Sequence, residues 1–72
     1  MTSIVSPATG SIWEVNVQPG DVVSRGDTLV VIESMKMEIP VEAPAAGRVV
    51  EIRVREGQAV EEGDVLVVLA GE

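Results

Sequence analysis

The chain has 72 residues, a formal net charge of −7, and neither cysteine nor histidine. A chain this short has room for one core, so we expect residues 1–72 to form a single domain. The negative charge disfavours nucleic acid and anionic membrane surfaces as partners, and the lack of cysteine excludes disulfides and thiolate metal sites. Because the apolar runs are also too short to cross a bilayer, we expect a cytoplasmic protein.

Two stretches of the chain align with each other without a gap. The segment "PATGSIWEVNVQPGDVVSRGDTLVVIE" begins at Pro7, and "PAAGRVVEIRVREGQAVEEGDVLVVLA" begins at Pro44, a constant offset of 37 residues. Two copies are too few for a solenoid, so this duplication predicts two quasi-symmetric halves packed on each other. The matched pairs include Gly10/Gly47, Glu14/Glu51, Gly20/Gly57, Gly26/Gly63, Asp27/Asp64 and Leu29/Leu66.

Each half opens with an alternating stretch. In "WEVNV" the apolar side chains of Trp13, Val15 and Val17 fall on one face of a strand, and "VEIRV" at residues 50–54 repeats the pattern. Alternation of this kind predicts half-buried strands. We therefore expect Trp13, the only aromatic residue, to pack in the core.

Each half closes with an apolar run that does not alternate. The runs "TLVVIE" and "VLVVLA" are typical of strands covered on both faces. No stretch has a capped apolar period of 3.6 residues, so no substantial helix is expected. These patterns predict an all-β domain in which two small antiparallel sheets form a sandwich or flattened barrel.

The segment "SRGD", Ser24–Asp27, contains an Arg-Gly-Asp tripeptide of the sort that binds adhesion receptors. Its counterpart, Glu62-Gly63-Asp64, keeps Gly-Asp and loses the arginine, which favours a turn function for the pair. The acidic residues around position 62 lack the spacing of a calcium-binding loop and are interpreted as a solvated turn.

Between the two copies, "IESMKMEIP" predicts a hairpin with Lys36, the only lysine, at its tip. The 37-residue offset relates this tip to the place where the chain begins and ends, so the hairpin should lie at the opposite end of the domain from the termini. Two-residue hairpin turns normally use Asn-Gly or similar pairs that tolerate positive φ, whereas the tip "SMKM" contains no Gly, Asn or Pro. A turn that is costly to form, flanked by adaptable methionines, indicates a recognition site.

A solvated lysine amine is almost fully protonated at neutral pH, so Lys36 is a poor nucleophile by itself. It is better suited to accept a modification from another enzyme. The chain has no histidine or cysteine, no Ser-centred elbow and no phosphate-binding loop. We therefore expect no independent enzymatic activity.

The motif "ESMKME", set in a duplicated half-domain, closely resembles that of biotinyl (biotin carboxyl carrier) domains, whose signature is Glu, a small residue, Met, Lys, Met. The resemblance extends from about Ile4 to Ala70. It implies a hammerhead fold, a flattened eight-stranded barrel of two four-stranded antiparallel sheets, with biotin amide-linked to Lys36. By the same resemblance, the residues that a biotin protein ligase recognises are Glu33, Ser34, Met35 and Met37.

Two positions differ from patterns in the family. Ser34 stands where alanine is usual, and its small size should not prevent modification. The gapless repeat leaves no room for the protruding thumb of some carrier subunits, so the resemblance implies a thumbless domain.

The resemblance also implies a function. The chain would be a non-catalytic carrier whose biotin moves carboxyl groups between biotin carboxylase and carboxyltransferase sites. A lipoyl domain is an alternative, because it has the same fold and lysine position, although its lysine usually stands in an Asp-Lys-Ala context. A protein-binding module with an unmodified Lys36 is a second alternative.

Overall fold

A computed structural model describes residues 1–71, which form eight strands and no helix. No helix in these residues could therefore cross a membrane. The strands are β1 (Thr2–Val5), β2 (Gly10–Val15), β3 (Val22–Val23), β4 (Thr28–Ser34), β5 (Met37–Glu42), β6 (Gly47–Ile52), β7 (Ala59–Val60) and β8 (Val65–Gly71).

The strands form two four-stranded antiparallel sheets, which confirms the predicted all-β fold. One sheet has the order β5-β4-β2-β7 and contains the Lys36 hairpin; we call it the hairpin sheet. The other has the order β1-β8-β6-β3 and contains the first and last strands; we call it the terminal sheet.

The two sheets are related by the 37-residue offset. Adding 37 to the bounds of β2, β3 and β4 gives the bounds of β6, β7 and β8. The same offset relates the central strands β4 and β2 of the hairpin sheet to β8 and β6 of the terminal sheet, so the two strand orders correspond. The β2–β3 connection (16–21) is as short as the β6–β7 connection (53–58), so the first half has no thumb.

The core is a single aliphatic cluster that draws on both sheets. Its most deeply buried members come from β4 and β8, as expected for the central strands of each sheet, and they have no exposed surface: Leu29, Val30, Ile32, Leu66 and Val67. Removing such a side chain from water stabilises the fold by about 1.5–3 kcal/mol, so these two strands supply much of the stability.

The prediction that Trp13 packs in the core is wrong. In β2, Ile12 pairs with Ile32 and Glu14 pairs with Val31, so Trp13 is an extra residue in a β-bulge. The bulge changes which positions face inward. Ile12 is 2% exposed, whereas Trp13 is 51% exposed and lies on the surface of the hairpin sheet.

The second half contains the same bulge. The register of β6 against β8 shifts between Val49 and Glu51, which leaves Val50 as the extra residue, 42% exposed. After each bulge the predicted alternation holds, because Val15 and Ile52 pack against the core. The error is therefore confined to the first residue of each alternating stretch.

The apolar runs are covered less completely than predicted. Leu29 and Val30 are both fully buried, at a register shift between Thr28 and Val30 that interrupts strict alternation. The next residue, Val31, is only half-buried. The outer face of β4 is therefore partly open, although its inner face belongs to the core.

Four similar turns occur in the chain, three of them closed by a Gly-Asp pair and the fourth by Gly57-Gln58. In Ser24–Asp27, the amide of Asp27 donates to the carbonyl of Ser24 at 3.0 Å, and the Asp27 carboxylate accepts from the amide of Ser24 at 2.8 Å. Gly26 has a φ of 91°, which explains the glycine. The Asp of "SRGD" therefore stabilises its own turn. The same pair of bonds closes the turns at residues 18–21, 55–58 and 61–64.

Candidate functional site

The Lys36 hairpin has a two-residue turn. Ser34, the last residue of β4, pairs with Met37, the first residue of β5. Met35 and Lys36 form the turn between them, with φ angles of 52° and 65°. Positive φ at both central positions defines a type I′ turn, which usually contains Asn and Gly. A left-handed conformation costs an ordinary residue about 1–2 kcal/mol, so this turn is strained at the position of the candidate site.

Ser34 ties the hairpin to the rest of the domain. Its hydroxyl donates a hydrogen bond to the carbonyl oxygen of Thr9 at 2.8 Å. The Thr9 hydroxyl in turn accepts from the amide of Glu62 at 3.3 Å. Thr9 thus links the hairpin to the turn before β8. Sequence analysis missed Thr9, since nothing in the local pattern relates residues 9 and 34.

Gly10 allows the strand beside the hairpin to come close. A Cβ atom at this position would collide with the carbonyl oxygen of Glu33. Its symmetry partner Gly47 stands in the same relation to the Ala70 carbonyl, with an added Cβ only 2.6 Å from that oxygen. The matched Gly10/Gly47 pair in the repeat was the sequence signal for this close approach.

The tip is open to solvent. Met35 is 92% exposed, Met37 is 66% exposed, and Lys36 between them is also exposed. No carboxylate in the described part of the chain forms an ion pair with Lys36. The amine is therefore free to enter the active site of another protein, and the side chains of Met35 and Met37 are available for apolar contacts.

Glu33, another of the predicted recognition residues, is less exposed than the two methionines. Glu33 is half-buried in β4, directly opposite Glu38 of β5. Like charges opposite each other on a sheet are destabilising. The hairpin thus presents Lys36 next to a pair of carboxylates that have no cation between them in residues 1–71.

The register places Lys36 and the termini at opposite ends of the domain. Strand β2 begins beside the hairpin, where Ser11 pairs with Glu33. The chain then runs to β3, where Val23 pairs with Gly47, and Gly47 also pairs with Gly71. The length of β2 and its following loop therefore separates the hairpin from the chain ends, as predicted. A protein attached at the ends would leave Lys36 accessible.

The described residues do not form a candidate metal site. Among residues 1–71, no group of three or more histidine, cysteine, aspartate or glutamate side chains could hold a metal ion. What the hairpin offers is one accessible primary amine on a rigid, exposed turn. This arrangement can accept an acyl group and then present it to other proteins.

Comparison with known proteins gives a consistent result. The profile of the family described as "Biotin-requiring enzyme" matches residues 2–69. The mitochondrial propionyl-CoA carboxylase alpha chain of Caenorhabditis elegans is 52% identical over 42 residues, which are 58% of this chain and 6% of that protein. The biotinylated protein TB7.3 homolog of Mycolicibacterium smegmatis is 64% identical over 33 residues, 46% of each chain.

The fold has a close relative of known structure. A single-chain, multi-domain long-chain acyl-CoA carboxylase superposes on 99% of this chain with a TM-score of 0.94 and 35% identity, although the match covers only 7% of that protein. The matched region thus spans less than half the length of each of these three proteins.

Proposed function

We propose that Lys36 bears covalently attached biotin, because the chain belongs to the biotin-requiring enzyme family and is a biotin carboxyl carrier domain. The observation that carries this assignment is the Lys36 turn itself. The only lysine of the chain stands on a strained two-residue turn, exposed between two exposed methionines and free of ion pairs in residues 1–71. A structural turn would not need this sequence.

Attachment forms one bond. A biotin protein ligase first activates the carboxyl group of biotin with a nucleoside triphosphate. The ε-amine nitrogen of Lys36 then attacks the carboxyl carbon: a C–N bond forms, the bond to the activating phosphate oxygen breaks, the phosphate group leaves, and the nitrogen loses a proton to give the amide. The cationic amine becomes a neutral amide, so the formal charge changes from −7 to −8. The methionines on both sides then border a less polar tip.

The chain's own residues attach, orient and present the group. When bound, biotin supplies the ring nitrogen that accepts and releases a carboxyl group. Ser34 and Gly10 hold the hairpin against the sheet, so the arm starts from a fixed point. The attachment point lies far from the chain ends. A domain tethered through its ends can therefore carry the biotin arm to separate active sites at high effective concentration.

The partners follow from this role. We propose a biotin protein ligase, a biotin carboxylase and a carboxyltransferase as the proteins that act on the tip, with the chain itself non-catalytic. A carrier that bound the biotin carboxylase or the carboxyltransferase tightly would slow turnover. Weak contacts that depend on the negative surface charge suit the role better.

Intact mass measurement tests the proposal. The wild-type chain and a Lys36→Arg variant are co-expressed with a biotin protein ligase and, separately, with a lipoate ligase. Biotin on the wild-type chain, mapped to the peptide with Lys36 and absent from Lys36→Arg, is the expected result. Lipoate on Lys36 with no biotin would favour the lipoyl alternative, and an unmodified chain in both cases would favour the binding module.

A further inference from the structure

An enzyme that contacts the hairpin beyond the tip can reach only one of the two faces of the hairpin. The inner face is closed, because Ile32, Ile39 and Val41 pack in or against the core. The outer face is open. A ligase that reaches Lys36 and extends its contact along the hairpin must therefore lie on the outer face of the hairpin sheet.

The register shows what this face presents. Glu33 lies between Ser11 and Glu38 in one row across the sheet, and Val31 lies between Glu14 and Pro40 in the next. Trp13, in the bulge beside Glu14, adds a half-exposed indole. We call this surface the outer hairpin face, defined by Trp13, Glu14, Val31, Glu33, Glu38 and Pro40.

Charge distinguishes this face from its symmetry mate. The strands of the hairpin sheet contain four glutamates and no basic residue, whereas those of the terminal sheet contain one arginine and one glutamate. Glu33 and Glu38 lie opposite each other and form no ion pair within residues 1–71, so their like charges repel. A basic partner surface would relieve that repulsion, so the face has the charge pattern of a docking site for cations.

Trp13 is the natural anchor of such a contact. Tryptophan is enriched among residues that dominate binding energy, and interface cores are apolar with a charged rim. Trp13 lies two residues along β2 from the Ser11–Glu33 pair, and Lys36 lies three residues beyond Glu33, in the turn. At the usual strand rise the two are at most about 17 Å apart along the sheet. The indole thus lies within the footprint of a protein bound at the tip.

Given the proposed function of Lys36, on which this inference rests, we propose that the outer hairpin face docks on the biotin protein ligase. The ligase surface that receives it is basic and contains an apolar slot for the Trp13 indole. Docking here adds affinity without contacting the reacting amine. It therefore lowers KM for the carrier and leaves kcat unchanged.

The duplicated fold supplies matched controls. Trp13→Ser and Glu14→Gln alter the outer hairpin face, and Val50→Ser and Glu51→Gln alter the equivalent bulge of the terminal sheet. The initial rate of biotin incorporation is measured against carrier concentration with a ligase that modifies the wild-type chain. We expect Trp13→Ser to raise KM about tenfold at constant kcat, as is typical of an interface anchor. Circular dichroism verifies that each variant is folded.

Salt gives a second readout. Added salt should raise the wild-type KM, and Glu14→Gln should reduce this dependence, since screening weakens exposed charge contacts. Two outcomes overturn the docking face: a Trp13→Ser KM within twofold of wild type, or an equal increase for Val50→Ser. If the ligase does not modify the wild-type chain at all, the assignment of biotin to Lys36 falls as well, so the two failures are distinguishable.

Discussion

The Ser34 hydroxyl donates a hydrogen bond to the Thr9 carbonyl oxygen at 2.8 Å and thereby fixes the Lys36 hairpin to the loop before β2. Alanine at this position could not make this bond. Ser34 therefore braces the strained turn formed by Met35 and Lys36.

Ser34→Ala should lower the free energy of unfolding by about 0.5–1 kcal/mol, the usual contribution of one hydrogen bond that is partly open to water. Urea unfolding measures the change. Ser3→Ala is the control, because Ser3 is exposed and its side chain makes no hydrogen bond within residues 1–71. Equal unfolding midpoints for Ser34→Ala and wild type would show that the bond does not brace the turn. Biotin incorporation should persist, since alanine is small.

Met35→Asn should stabilise the protein. Met35 has a φ of 52°, a conformation that asparagine tolerates better than methionine. We expect the free energy of unfolding to rise by about 0.5–1 kcal/mol in urea titrations. Met37→Asn is the control, because Met37 is also exposed but lies in a strand, outside the turn. A gain from both substitutions, or from neither, would contradict turn strain as the cause.

Met35→Glu/Met37→Glu should reduce biotin incorporation while the fold persists. Charged side chains would replace the apolar contacts that we assign to ligase recognition, so the rate at low carrier concentration should fall roughly tenfold. The double variant Val5→Glu/Val22→Glu adds the same charge at exposed positions of the terminal sheet and should be modified at nearly the wild-type rate. Equal loss in both variants would point to net charge instead of the methionines.

The two-sheet architecture with quasi-symmetric halves and the position of the hairpin could be predicted because the duplication applies one pattern twice. Because the offset is constant, a strand that begins at Gly10 in the first half predicts an equivalent strand that begins at Gly47 in the second. The orientation of Trp13 could not be predicted by alternation alone, because a single extra residue in a strand reverses the faces before and after it. The adjacent apolar pair Ile12–Trp13, repeated as Val49–Val50, was the available signal of the bulge.

Lys36 and its flanking methionines could be identified from the sequence because the unusual feature is local: a two-residue turn that lacks the Asn and Gly residues typical of such turns. The bracing contact from Ser34 to Thr9 is different. It joins residues 25 positions apart, and only the folded register brings them together. The assignment of biotin to Lys36 itself remains a prediction that mass measurement decides.

Asp27→Ala should destabilise the domain by about 1 kcal/mol, and Asp27→Asn should cost much less. The carboxylate of Asp27 accepts a hydrogen bond from the Ser24 amide, and an asparagine side chain keeps an oxygen in reach of that amide. Thermal unfolding of the two variants gives the comparison. Equal losses would mean that the negative charge, and not the acceptor geometry, stabilises the turn.

Gly10→Ala tests how the close approach of β2 and β4 affects the hairpin. The added methyl group would collide with the Glu33 carbonyl, so the strands must separate beside the Lys36 turn. Overpacking of this kind costs typically about 1–3 kcal/mol. Gly47→Ala creates the equivalent collision with the Ala70 carbonyl, at the end of the domain that holds the chain ends.

Both glycine variants should therefore lose similar stability in urea titrations, but only Gly10→Ala should also slow biotin incorporation under conditions where both are folded. Gly71→Ala is the neutral control, since an added Cβ there meets nothing within 4 Å. If Gly47→Ala slowed incorporation as much as Gly10→Ala, the effect would come from lost stability in general. Slower incorporation by Gly10→Ala alone would show that the ligase depends on the fixed position of the hairpin.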